Sequence, residues 1–124
     1  MKIAITAEKT INELDLDPSI SCLIWPPNQN WPEDDVRVLA AHYRRFLYFK
    51  LKYSNEDIVI FTELEEFWHS HILATKNYFE DCHKVFGRYL HHTPKEFLDH
   101  EEEEAYLLIE RTMELLKKEF PEAL

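Results

Sequence analysis

PEDDVRVLAAHYRRFLYFKLKY, running from Pro32 to Tyr53, reads as one long amphipathic helix. Val36, Leu39, Ala40, Tyr43, Phe46, Leu47 and Leu51 recur at steps of three and four, which places them on one face at 3.6 residues per turn. Pro32 suits a first helical turn, where its missing N–H leaves no bond unmade. Glu33, Asp34 and Asp35 put negative charge at the positive end of the helix dipole. Working outward, the same period predicts helices over 62–73, 75–86 and 94–120. Thr62-Glu63-Leu64-Glu65 is spelled as a capping box, with Thr62 as cap and Glu65 reaching back. Gly87 stands where a left-handed residue closes the 75–86 helix. Thr93-Pro94-Lys95-Glu96 starts the last helix, whose apolar stripe is Leu98, Ala105, Leu108, Ile109, Thr112, Leu116 and Phe120.

The remaining segments carry weaker signals. Ile11, Leu14, Leu16 and Ile20 form either a short helix or an apolar strap, and Asp17-Pro18 signals a turn. Residues 1–30 are accordingly read as strap and loop. Ile58-Val59-Ile60-Phe61 favours extended backbone but finds no partner strand, so 54–61 is read as a buried connector. The expected fold is all-α: a compact bundle of four to five helices with an irregular N-terminal strap, in a single domain over 1–124.

Composition narrows the classes of function. A chain of 124 residues with 45% hydrophobic and 14% aromatic side chains can bury one core. One glycine and six prolines disfavour turn-rich β-sandwiches and low-complexity chains. A formal net charge of −10 repels phosphate backbones, so nucleic acid is not expected as a partner. The basic residues Arg44, Arg45, Lys50 and Lys52 read as a solvated helix face. No apolar run approaches the roughly 20 residues that cross a bilayer, and no signal peptide precedes Glu8. With two cysteines, Cys22 and Cys82, the chain is placed in a reducing cytoplasm with both thiols free.

Candidate chemistry concentrates in one stretch. Six of the seven histidines fall between residues 69 and 100, together with Cys82. Imidazole and thiolate are the side chains that bind transition metals and move protons near neutral pH. Leu64, Phe67, Trp68, His71 and Ile72 share a helix face, so His71 points inward. His69 lies about 200° away around the helix and shares a face with Glu65, which can orient it. Tyr78, Phe79, Cys82, Val85 and Phe86 form the apolar face of the next helix, flanked by Asp81 and His83. The most concrete ligand set is His71, Cys82 and His92, with His69 and Asp81 as further candidates, for zinc or iron. The spacing matches no zinc signature. No phosphate-binding glycine loop, nucleophilic serine motif or HExxH is present.

Phe67-Trp68-His69-Ser70-His71-Ile72, with Tyr78, Asp81-Cys82, Phe86-Gly87 and Leu90-His91-His92, resembles bacterial members of the glycine-rich-domain-containing-protein-like family. Asn12-Glu13-Leu14-Asp15-Leu16 and Arg44-Arg45-Phe46-Leu47 extend the likeness, which covers about residues 12–92. That family also supplies an N-terminal domain of certain plant proteins. The resemblance implies an intracellular, mostly helical domain and brings no established activity. Relatives often carry aspartate at the positions of Glu65 and Ala74. The second difference removes a carboxylate that would matter if it were a ligand or base. The glycine-rich tail of the family name is absent.

Two functional expectations follow. In the first, a His/Cys/Asp cluster between the 62–73 and 75–86 helices binds a metal ion or small ligand. In the second, the His/Trp cluster is structural. The chain is then a non-catalytic interaction module that binds a protein partner or a second copy through exposed aromatics near Trp25–Trp31 or through its acidic last helix. Whether the protein is an enzyme is left open by the sequence.

Overall fold

The long helix predicted from the sequence forms over Glu33–Lys52 (α3), with Pro32 as its N-cap and the three acidic residues in its first turn. The computed structural model describes residues 2–25, 31–54, 58, 60–92 and 102–119. Among these it is all-α, with six helices and no strand. The others are α1 (Lys2–Asn12), α2 (Asp17–Ile24), α4 (Thr62–Leu73), α5 (Thr75–Phe86) and α6 (Glu102–Glu119). The chain divides into two compact units, Met1–Ser54 with Phe61–Leu90, and Asn55–Ile60 with His91–Leu124.

In the first unit, α1 and α2 replace the expected irregular strap, and the described helices number six rather than four or five. Pro18 does not end structure here. It sits in the first turn of α2, where a proline forfeits no hydrogen bond. The Asp15 carboxylate accepts from the Asp17 N–H at 3.0 Å, which turns the chain between the two helices. Ile11, Leu14, Leu16 and Ile20 are all buried; of the two readings, short helix or strap, Ile11 and Ile20 take the helix while Leu14 and Leu16 lie in the link between α1 and α2.

Helix α4 packs on both α2 and α3, α1 packs on α3 and α5, and α5 packs on α4. The core between them is aromatic. Tyr43 lies against Phe67 with ring centroids 4.7 Å apart, and Phe46 lies against Trp68 at 4.9 Å. Moving from Tyr43 to Phe46 along α3 moves the contact from His71 back to Trp68 along α4, so the two helices run in opposite senses where they touch. Burial on α3 follows the predicted face, with Phe49 added and Leu51 only half-buried.

Arg44 departs from the expected solvated face. Its guanidinium donates to the Ile11 and Leu14 carbonyls, at 2.5 and 3.0 Å, and so caps the C-terminal end of α1. Partial burial lowers its pKa, and Asp81, Asp15 and Asp17 oppose that shift.

The capping box at Thr62 does not form. Phe61 is the N-cap of α4 and no side chain bonds the cap. The connector is less buried than expected, with Ile58 and Ile60 half-buried and Phe61 exposed. Gly87 adopts φ 70° and closes α5 as predicted, its N–H donating to the His83 carbonyl.

In the second unit, α6 buries Thr112 and Leu115. Leu115 was not in the predicted stripe, and Ile109, which was, is exposed. The predicted start at Thr93-Pro94 lies outside the described residues, as do Leu98 and Phe120. No helix among the described residues is long and apolar enough to cross a membrane.

Candidate functional site: a buried tyrosine–histidine–aspartate chain

The site arises where α3, α4 and α5 meet in the first unit. His71 lies one turn after Phe67 and Trp68 on the inward face of α4, and only 1% of its surface is exposed. An imidazole so deeply buried needs partners for both nitrogens. It has them. Nδ1 lies 2.7 Å from the Tyr43 hydroxyl of α3, and Nε2 lies 2.8 Å from Oδ2 of Asp81 on α5. Asp81 is itself only 4% exposed, so the helix face that the sequence presents as less apolar is in fact interior.

Proton positions follow from the partners. A carboxylate only accepts, so Nε2 carries hydrogen and donates to Asp81. Burial pushes the Tyr43 phenol well above its ordinary range, reinforced by Tyr78, Cys82 and Asp81. Tyr43 therefore keeps its proton and, with His71 as the Nε2–H tautomer, donates to Nδ1. The result is a directional chain, Tyr43 to His71 to Asp81, across three helices.

A second set of bonds adjoins the first. The Trp68 indole N–H donates to the Tyr78 hydroxyl at 3.0 Å, and that hydroxyl donates to the Leu90 carbonyl. The rings of His71 and Tyr78 meet edge to face at 4.8 Å, joining the two sets. Burial raises the Tyr78 pKa, and the Trp68 N–H partly offsets this. Cys82 belongs to the second set. Burial pushes its thiol up, while hydrogen bonding from the Leu90 backbone and Tyr78 works in the opposite direction. A buried thiol with a raised pKa is a poor nucleophile, because that role needs the thiolate. Both cysteines are free.

Of the five expected ligands, His71, Asp81 and Cys82 come together in this region. His69 is on the opposite side of α4. Its side chain is 40% exposed and lies 3.7 Å from Glu65 and 3.9 Å from Glu66. The Glu65–His69 pairing was therefore readable from the four-residue spacing, as was their separation from His71. His92 belongs to the second unit. Sequence reasoning missed Tyr43 as the partner of His71, and Tyr78 as the link from Trp68 to the main chain at Leu90. A chain separation of 28 residues between Tyr43 and His71 leaves no local signal. Tyr78 was recognisable only as an apolar-face residue.

Ala74 is at once the C-cap of α4 and the N-cap of α5, with no side-chain bond to the cap. Aspartate at this position would meet the open N–H groups of α5, the role of an N-cap. It would not lie in the buried chain, whose carboxylate is Asp81.

Fold and site together define a helical protein built around an enclosed Tyr–His–Asp hydrogen-bond chain. The chain belongs to the UCP032817-like family, whose model matches residues 6–119. That description names no activity. No curated protein and no solved structure shows a significant match.

Proposed function

We propose that the protein is a non-catalytic helical binding module of the cytoplasm, in which the Tyr43–His71–Asp81 chain, with Trp68 and Tyr78, fixes how α3, α4 and α5 pack. One observation carries this reading: both nitrogens of the enclosed His71 ring are hydrogen-bonded within the protein, at 2.7 and 2.8 Å. A metal ligand must keep one ring nitrogen for the ion, and a general base must reach a substrate. The alternative is a zinc or iron site drawn from His71, Cys82, His92, His69 and Asp81. The proposal keeps the kinship with the glycine-rich-domain-containing-protein-like family, and it excludes nucleic acid on the strength of the acidic charge.

Protein produced without a histidine tag decides between the two. The expected result is less than stoichiometric zinc and iron by elemental analysis, with the same thermal midpoint in the presence and absence of chelator. A tightly bound structural ion stabilises a fold by several kcal/mol. Stoichiometric metal, lost to chelator together with a lowered midpoint, would overturn the reading.

A further inference from the structure

Apart from the buried chain, a cleft of about 560 Å³ opens on the first unit between the beginning of α3 and the beginning of α4. Trp31, Val38, Leu39 and Phe61 give it apolar walls. Val38 is 61% exposed and Phe61 52%, so two large apolar side chains stand open in the same cleft. Single exposed apolar residues are ordinary, but a contiguous group rimmed by polar side chains marks a contact surface. The charged lining is of one sign. Among the described residues that line it, Asp35 and Glu63 contribute carboxylates and His42 an imidazole, with neither lysine nor arginine. The whole chain carries −10, so the surrounding field is also negative.

We propose that this cleft docks an amphipathic helix of a partner protein, one whose apolar anchors are flanked by lysine or arginine. The inference rests on the binding-module reading and names its partner class. An open trough between two helix starts suits a helix laid in with anchors at three- and four-residue spacing. The carboxylates on the rim select the sign of the flanking charges and steer the encounter. A second copy of this chain is the poorer occupant, because two bodies of charge −10 repel and would bring acidic rim against acidic surface.

The test uses isotope-labelled full-length protein and a synthetic helical peptide of leucine and lysine, about four turns long. The same peptide with glutamate for lysine serves as control. The lysine peptide should shift amides at the start of α3 and the start of α4. Val38→Asp should weaken it by about tenfold or more, since a charge then sits in the apolar wall. Glu63→Lys should weaken it by roughly threefold, as for a rim pair. Glu80→Lys, an equal change of charge on the exposed side of α5, should have a smaller effect. Circular dichroism confirms that each variant is folded.

Shifts spread over the whole acidic surface would overturn the proposal. So would equal weakening by Glu63→Lys and Glu80→Lys, or equal binding of the glutamate peptide. A cleft indifferent to the lysine peptide overturns the docking proposal while metal-free, chelator-insensitive protein still upholds the module. Stoichiometric metal overturns the reading beneath it.

Discussion

Removing the Asp81 carboxylate is the sharpest test of how this fold is held. In Asp81→Ala the His71 Nε2–H, now bonded at 2.8 Å in a ring 1% exposed, faces a side chain that cannot accept. A hydrogen bond to a charged group contributes about 1.5–3 kcal/mol, and an orphaned buried donor adds a penalty of about 1–3 kcal/mol, which partly overlaps it. The net loss should be about 3 kcal/mol, or roughly 10 °C in the thermal midpoint for a chain of this size. Asp81→Asn keeps an oxygen for Nε2–H and loses only the charge, so it should cost about 1 kcal/mol. Tyr43→Phe removes the donor to Nδ1 and should also cost about 1 kcal/mol.

Urea unfolding followed by far-UV circular dichroism and tryptophan fluorescence gives these differences. Combining Tyr43→Phe with Asp81→Ala should show a coupling of about 1 kcal/mol, because both act through one ring. The reasoning fails if Asp81→Ala and Asp81→Asn cost the same, or if the two changes add to within about 0.3 kcal/mol.

Other outcomes follow from the same geometry. Burial raises the Cys82 thiol and the Tyr43 and Tyr78 phenols, so the unfolded chain loses these protons first as pH rises. Stability should therefore be complete below the ordinary thiol value of about 8.5 and fall above it, more steeply past the ordinary phenol value of about 10. Urea midpoints measured across this range check the sign, and Cys82→Ala should delay the onset. Ala74→Ser should stabilise by about 1 kcal/mol by capping α5, whereas Ala74→Asp should gain less because it also sits at the negative end of α4; an unchanged urea midpoint for the serine variant would contradict the assignment. Arg44→Met should cost about 1–2 kcal/mol through the lost bonds to Ile11 and Leu14, and hydrogen exchange should speed up selectively in α1.

The parts of the fold that could be read in advance are those whose cause is local. Helices α3, α4 and α5 carry long three-and-four patterns, and a glycine after a periodic segment has few uses besides a left-handed cap, which Gly87 fulfils. Helix α2 stands undecided between helix and strap in the sequence because its eight residues, opened by Asp17-Pro18, show no contrasting polar face. The Thr62 signature was present but idle, since Phe61 takes the cap position. In the site, the inward direction of His71 and the outward direction of His69 followed from helical phase. Asp81 stood among the candidates beside His71, but Tyr43 did not, because it arrives from another helix. A carboxylate beside an apolar face can as readily be interior when a buried donor awaits it.

A buried polar chain is an odd way to gain stability, since apolar side chains of the same volume often stabilise as well or better. Its particular contribution is direction. Apolar contact between α3 and α4 tolerates sliding and rotation, whereas an imidazole with two fixed nitrogens accepts one placement of Tyr43 and one of Asp81. The same two helices carry the cleft: Val38 and Leu39 precede Tyr43 on α3, and Glu63 precedes His71 on α4. Register in the core and shape at the cleft are thus set together. It follows that Asp81→Ala, although remote from the opening, should move the amide resonances of Val38 and Glu63, while Arg44→Met, which loosens α1, should leave them in place. Undisturbed resonances in the first variant, or equal disturbance in both, would show that the polar chain holds the core without shaping the surface that α3 and α4 present.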